Sequence, residues 1–136
     1  MNAKEYLQQY EKLNKMIRIK QAQIDALLET LDIAGIDYEH ERVQNSLSDR
    51  TAEIIAKAED MRLALQTQIE RLFYLQKEIC NTIDKIPQVV FRELLMLKYI
   101  RLMSWQEISA AMHYGVRHLT RLHGYALNEV KKQLEH

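Results

Sequence analysis

Residues Phe91 to Leu127 read FRELLMLKYIRLMSWQEISAAMHYGVRHLTRLHGYAL, and this stretch decides the expected fold. Within it, Ser104 to Glu107 has the S-x-x-E spacing of a capping box, in which each of the two side chains accepts a hydrogen bond from the other residue's backbone N–H. The box predicts a short helix from Trp105 to Met112. Gly115 then predicts a sharp reversal, because glycine reaches positive φ without steric cost. A longer helix is expected from Val116 onward.

Apolar spacing predicts how these two helices pack. The shorter helix is expected to bury Ile108, Ala111 and Met112, and the longer one is expected to bury Val116, Leu119, Leu122 and Ala126. Two short helices that cross at a tight turn form a helix-turn-helix, whose second helix enters the major groove of DNA. The sequence therefore predicts contact with double-stranded DNA.

Residues near the start of the longer helix and off its buried face are the candidates for contacting base edges. They are Arg117, His118, Thr120 and Arg121. Arginine can donate bidentately to guanine, and threonine can touch a thymine methyl group. Other polar side chains are expected to contact phosphates, which position a protein without specifying sequence. These are Gln106, Lys98, Arg101, Tyr125, Lys131 and Lys132.

Residues 1–86 predict an antiparallel, coiled-coil-like helical hairpin. In the first helix, apolar residues at three- and four-residue spacing form one seam: Tyr10, Leu13, Ile17, Ile24, Leu27 and Leu31. In the second helix, Thr51 to Ile86, apolar residues recur every seven positions at Ala58, Leu65, Leu72, Ile79 and Ile86. Gly35 is expected to end the first helix. The connecting loop is expected at about residues 35–49, with Ser48 or Asp49 as the cap of the second helix.

The only proline, Pro87, is expected to lie in the first turn of the next helix, after a hinge at Lys85 to Gln88. A single helix is predicted for Val89 to Leu102. These boundaries divide the chain into the hairpin, residues 1–86, and a helix-turn-helix DNA-binding domain, residues 87–133. Residues 134–136 look like the remnant of a histidine tag.

Composition supports an all-α class. Only three glycines and one proline occur among 136 residues, and 28% of the residues are charged. The net charge is zero, but residues 1–86 carry 12 basic and 15 acidic side chains, whereas residues 87–136 carry 7 and 4. The C-terminal excess is compatible with phosphate contact. One cysteine, no apparent leader and no apolar run of membrane length predict a reducing cytoplasm and no membrane association.

No constellation predicts catalysis. His113, His118 and His123 recur every five residues, so successive side chains point roughly 140° apart on a helix and cannot share one metal ion. Cys80 lacks an adjacent base and is expected to be a buried, inert thiol. Trp105 is expected to anchor its helix in the core. We expect no enzyme activity, no metal, no cofactor and no small-molecule substrate.

The segments SWQEISAAM, HYG and RLHGYAL resemble the C-terminal module of small phage and prophage proteins of Gram-positive bacteria. That module is similar to region 4 of sigma factors, which reads the promoter −35 element and contacts RNA polymerase. Phage late-gene regulators of the RinA and ArpU type resemble the same module. RVQNS at Arg42 to Ser46 extends the resemblance upstream. It departs from region 4 at Val116, where a polar or basic residue is usual, so a −35 target is not implied.

The resemblance implies a phage-type transcriptional regulator in the cytoplasm of a bacterial host cell, with RNA polymerase as an expected further partner. The alternative is a non-enzymatic phage interaction or assembly protein, including a DNA-packaging recognition subunit. Several apolar residues lie off the hairpin's main seams, and they predict a homo-oligomer formed through the hairpin: Ile19, Leu28, Leu63, Phe73 and Tyr74.

Overall fold

The computed structural model describes residues 1–33 and 45–135, and every regular element within these ranges is helical, which confirms the all-α prediction. The elements are α1 (Ala3–Ile33), α2 (Asn45–Asp84), α3 (Val89–Leu95), a π-helical turn (Met96–Ile100), α4 (Trp105–Met112) and α5 (Val116–Leu134). Within the described residues, no helix is long and apolar enough to cross a membrane.

The two long helices differ from prediction at their ends. The side chain of Asn2 accepts a hydrogen bond from the Glu5 N–H at 2.8 Å and so caps α1. The predicted stop at Gly35 lies outside the described residues, as do residues 42–44 of the RVQNS segment. The prediction that Ser48 or Asp49 caps α2 is wrong, because α2 begins at Asn45 and both residues are already helical. No proline or glycine lies between Asn45 and Thr51 to delay the helix.

The described chain forms two compact units, and residues 15–71 make up one of them. Its core contains Ile24 of α1 with Ala58 and Leu65 of α2, all nearly inaccessible to solvent. Ala58 and Leu65 are the two buried seven-residue positions of this unit, and Ile79 and Ile86 are buried in the other unit. Leu28, expected to lie off the seam, packs against this core with Ile17, Leu27, Met61 and Ile69.

The other unit combines residues 1–14 with residues 72–136. One of its cores combines buried residues of α1, the C-terminal end of α2, the break after it, α3, the π-helical turn and α5. They are Tyr6, Leu7, Ile79, Ile83, Ile86, Leu95, Tyr99, Ala126 and Val130. The phenol of Tyr6 also hydrogen-bonds the Thr82 hydroxyl at 2.9 Å. Packing therefore groups residues 72–86 with the C-terminal helices, whereas the sequence-based boundary fell at residue 87.

Pro87 lies in the break between α2 and α3, and this break covers residues 85–88 as predicted. Pro87 does not lie in the first turn of α3, however, because Gln88 is the N-cap and the helix begins at Val89. The expected single helix to Leu102 is also wrong. The backbone widens into a π-helical turn, in which the Arg101 N–H donates to the Met96 carbonyl at 2.9 Å, and the segment ends at Leu102 with φ 56°.

Candidate nucleic-acid interface

The start of α4 is fixed by the predicted capping box. The Ser104 hydroxyl accepts from the Glu107 N–H at 3.2 Å, and the Glu107 carboxylate accepts from the Ser104 N–H at 3.2 Å. Two backbone donors that a helix start would otherwise leave unpaired are satisfied in this way. The predicted bounds of α4 are confirmed.

The connection between α4 and α5 uses a different residue from the one predicted. His113 adopts the left-handed conformation with φ 60° and ψ 35°, whereas Gly115 is extended with φ −65° and ψ 152° and is the N-cap of α5. The expectation that Gly115 supplies the positive φ is therefore wrong. The reversal occurs at the C-terminal end of α4, where a left-handed residue is common. The Ser109 hydroxyl also donates to the Tyr114 carbonyl at 2.6 Å.

A small apolar core holds α4 and α5 together. Ile108 and Met112 of α4 pack with Leu119 of α5 and with Leu94 of α3. Two predicted core residues are not buried: Ala111 is exposed, and Val116 is 39% exposed. Ile108 and Met112, four residues apart, define the inner face of α4, and Ala111 lies about 100° away from Met112. Val116 is the first residue of α5 and precedes the turn that contacts α4.

The outward face of α5 carries the residues predicted to reach bases. Arg117, His118, Thr120, Arg121 and Tyr125 are all exposed. A shallow, open depression is lined by Val116, Arg117, Thr120 and Arg121, so three of the four candidates meet at one place. The fourth, His118, has its ring edge-on to Tyr114, with centroids 5.0 Å apart.

The start of α5 carries two exposed basic side chains, Arg117 and Arg121. Between Glu107 and Glu129 the sequence has no acidic residue, whereas Arg117 and Arg121 lie one turn apart. The Thr120 hydroxyl donates to the Val116 carbonyl at 2.9 Å, which leaves its oxygen free to accept a hydrogen bond and its methyl group able to contact a ligand. The depression can therefore hold phosphate oxygens or the acceptor atoms of a base edge.

The predicted phosphate-contacting residues divide into three groups. Gln106, Arg101, Tyr125 and Lys131 are exposed. Lys132 is exposed and forms an ion pair with Glu129 at 3.1 Å. Lys98 is half-buried, and its ammonium group lies 4.6 Å from the centre of the Trp105 ring. This cation–π contact stabilises the charge of Lys98 within the protein. Lys98 is therefore the weakest phosphate candidate.

A polar cleft beside α4 contains a cluster that sequence analysis missed. The Tyr99 hydroxyl and His123 Nε2 are 2.6 Å apart, and the Trp105 ring meets the His123 ring edge-on with centroids 5.1 Å apart. Lys4, Glu11 and Lys98 also line this cleft. The contacts depend on the π-helical turn, which presents Tyr99 and Lys98 to α4 and α5. No local sequence signal marks such a turn.

Burial controls the ionisation of this cluster. It lowers the pKa of His123 to about 4, with smaller contributions from the charges of Lys4 and Lys98. Burial also raises the pKa of Tyr99 to about 12, and Glu11 adds to this shift. Both groups are therefore neutral at pH 7, and the cluster supports the packing of α5 rather than carrying charge to a ligand.

Cys80, the single cysteine of the sequence, lies near the C-terminal end of α2. Burial and then the charge of Asp84 raise the pKa of the half-buried Cys80 thiol, whose sulfur lies 3.9 Å from that of Met96. Among residues 1–33 and 45–135, no group of three histidine, cysteine or carboxylate side chains could hold a metal ion. Trp105, expected in the core, is half-buried and packs at the core's edge.

No protein-family model, no curated protein and no solved structure matches this chain. The chemistry of the α5 face is therefore the basis on which a function can be assigned.

Proposed function

We propose that this protein is a phage-type transcriptional regulator that binds double-stranded DNA, with α4 and α5 acting as a helix-turn-helix of the sigma region 4 kind. One observation carries the proposal. The exposed face at the start of α5 gathers Arg117, Thr120 and Arg121 around one open depression, without an acidic side chain between Glu107 and Glu129. Such a face suits the major groove, whose edges present hydrogen-bond acceptors and whose walls carry phosphates.

The two kinds of basic residue have different roles in this proposal. Arg117 and Arg121 lie one turn apart near the helix start and read bases, because bidentate donation to guanine gives specificity. Arg101, before α4, and Lys131, near the end of α5, contact phosphates. His118 contributes to base contact with its ring held against Tyr114.

Two substitutions separate these roles. We expect Arg121→Ala to weaken binding to the preferred site and to relax discrimination at one base position, at a cost of about 1–3 kcal/mol. Arg101→Ala should weaken binding to all sequences alike. It should also reduce the slope of log affinity against log salt by about one, which corresponds to one phosphate contact. Binding is measured by fluorescence anisotropy with matched and mismatched duplexes at several salt concentrations.

The control is Arg18→Ala, which removes the same charge from an exposed position on α1. It should leave affinity and discrimination unchanged. Equal losses of affinity for Arg18→Ala and Arg121→Ala would contradict base reading by α5, because both losses would then reflect the change in net charge alone.

A contact with RNA polymerase is part of the proposal. If the module instead binds a protein partner alone, the segment before α4 that contains Leu97 and Tyr99 is the candidate contact. Tyr99 is only 3% exposed and belongs to the core, so it cannot form such a contact without local unfolding. Replacing Tyr99 would therefore report on stability rather than on docking.

The alternative is a non-enzymatic phage interaction or assembly protein, including a DNA-packaging recognition subunit. It is favoured by large apolar side chains exposed on the long helices, among them Ile19, Leu63, Phe73 and Tyr74 at 59, 69, 66 and 70% exposure. An antiparallel helical hairpin is the arrangement we propose for these helices, supported by the packing of residues 17–28 against residues 58–69. In this alternative, charge reversal of Arg117 and Arg121 leaves function intact, and a packaging subunit forms a ring.

A further inference from the structure

Gly124 lies in the interior of α5, where glycine weakens a helix relative to alanine. The fold gives no reason for glycine at this position. Gly124 is exposed, its backbone is helical, and a Cβ placed on it meets nothing within 4 Å. Neither a left-handed backbone nor tight packing inside the protein therefore explains the residue. A glycine in a helix also allows the backbone to come close to a binding partner.

Helical spacing puts Gly124 on the same side of α5 as the depression at the helix start. It follows Arg121 by three residues and Thr120 by four, and residues at these separations are neighbours on a helix surface. Arg117 lies seven residues earlier, about two turns back along the same side. Glu129, the one acidic residue of α5, lies five residues later and therefore about 140° around the helix. Within α5, the side that contains Gly124 thus carries no acidic residue.

The same side continues towards the C-terminal end of α5 with Asn128 and Lys131, four and seven residues after Gly124. Both are exposed, and their amide and ammonium groups can donate to phosphate oxygens. At about 1.5 Å per residue, Gly124 lies roughly 10 Å along the helix axis from Arg117. The major groove is about 12 Å wide, so a helix whose first turn lies inside the groove reaches a wall of phosphates near Gly124.

We propose that the backbone of α5 at Gly124 packs directly against the sugar–phosphate backbone of double-stranded DNA, with Asn128 and Lys131 donating to the phosphates beyond it. This inference rests on the proposed DNA binding and extends its contact surface from the start of α5 to Lys131. A side chain at position 124 would hold α5 away from the groove wall, because the added atoms would occupy the space between the helix and the DNA.

A size series at position 124 tests the close approach. Gly124→Ala should raise the melting temperature by about 3 °C, because alanine favours the helix, and yet weaken DNA binding about threefold or more. Gly124→Leu should weaken binding at least about tenfold. Both losses should be equal on a duplex that the wild-type protein selects from a random pool and on a random-sequence duplex, because the contact is with phosphates and sugars rather than with bases.

Asn128→Ala tests the far end of the contact surface. It should weaken binding to all sequences alike without changing the slope of log affinity against log salt, because a neutral amide displaces no counterion. The control for added bulk is Ala56→Leu, at an exposed position of α2. This control should leave DNA affinity unchanged.

The outcomes separate the close approach from DNA binding itself. Wild-type affinity in Gly124→Leu, with discrimination still lost in Arg121→Ala, would overturn the close approach and leave base reading by α5 in place. A lower melting temperature in Gly124→Ala would show that the fold itself requires glycine there, and this would also overturn the inference. Absence of salt-dependent DNA binding by the wild-type protein would overturn the proposed function and this inference with it.

Discussion

His123 is a half-buried side chain that connects α5 with the π-helical turn and with α4. Its ring bonds the Tyr99 hydroxyl at 2.6 Å, touches the Trp105 ring, and shares its cleft with Lys4 and Lys98. Burial disfavours the protonated form of the ring, and protonation would also place a positive charge beside the two lysines. The pKa of about 4 reflects that cost.

Stability should consequently fall as the pH drops below the ordinary pKa of histidine. Unfolded His123 gains a proton near pH 6.5, whereas folded His123 stays neutral until about pH 4, so protons favour the unfolded chain between these values. The contribution is fully present at pH 7. Between pH 7 and pH 5 we expect a loss of about 1 kcal/mol in the free energy of unfolding, allowing for the solvent screening of a half-buried ring. Urea unfolding at each pH measures it.

The matched variant is His123→Gln, which cannot titrate but retains a hydrogen-bonding group for Tyr99. It should be less stable than the wild type at pH 7 and show a smaller loss between pH 7 and pH 5. An unchanged pH dependence in this variant would assign the effect to other groups.

The turn between α4 and α5 gives a second prediction at the residue scale. His113 holds a left-handed backbone that glycine adopts without strain, so His113→Gly should stabilise the fold by about 0.5–1 kcal/mol. Gly115 has an ordinary φ of −65°, and a Cβ placed there meets nothing within 4 Å. Gly115→Ser should therefore also stabilise, by about 0.5 kcal/mol, through N-capping and reduced entropy of the unfolded chain.

Thermal and urea denaturation of both variants measure these differences. A loss of more than 1 kcal/mol in Gly115→Ser would show that this position needs glycine after all.

At the scale of elements, local signals predicted some helices closely and missed others. The bounds of α4 follow from the Ser104–Glu107 box, because a cap acts within one turn and can be read from adjacent residues. The π-helical turn at residues 96–100 could not be predicted. It forms where Tyr99 packs with Ile79, Ala126 and Val130, which are distant in the sequence.

The capping box itself makes a prediction for α4. Ser104→Ala removes the acceptor of the Glu107 N–H and should cost about 1 kcal/mol of stability. Ser109→Ala, which removes the bond to the Tyr114 carbonyl, provides the comparison. If the capping box holds the start of α4, hydrogen exchange at Glu107 should accelerate in Ser104→Ala and not in Ser109→Ala. Equal acceleration in both variants would show that the box does not hold this end of the helix.

At the scale of the whole molecule, charge and exposed apolar side chains are distributed unevenly along the chain. Residues 1–86 carry the acidic excess and the exposed aromatic residues of α2, whereas residues 87–136 carry the basic excess. The sequence predicted this separation because charge and heptad spacing are local properties. It did not predict that Tyr6 and Leu7 share a core with Ala126 and Val130, since that pairing depends on long-range packing.

The most direct test of DNA binding is selection of duplexes from a random pool by the purified protein, followed by titration of the selected site against salt. We predict an enriched sequence whose binding constant falls steeply and linearly with salt on logarithmic axes, as neutralisation of several phosphates requires. Arg121→Ala should lose preference at one position of that sequence. A pool that shows no enrichment, together with an affinity insensitive to salt, would contradict DNA recognition by α5.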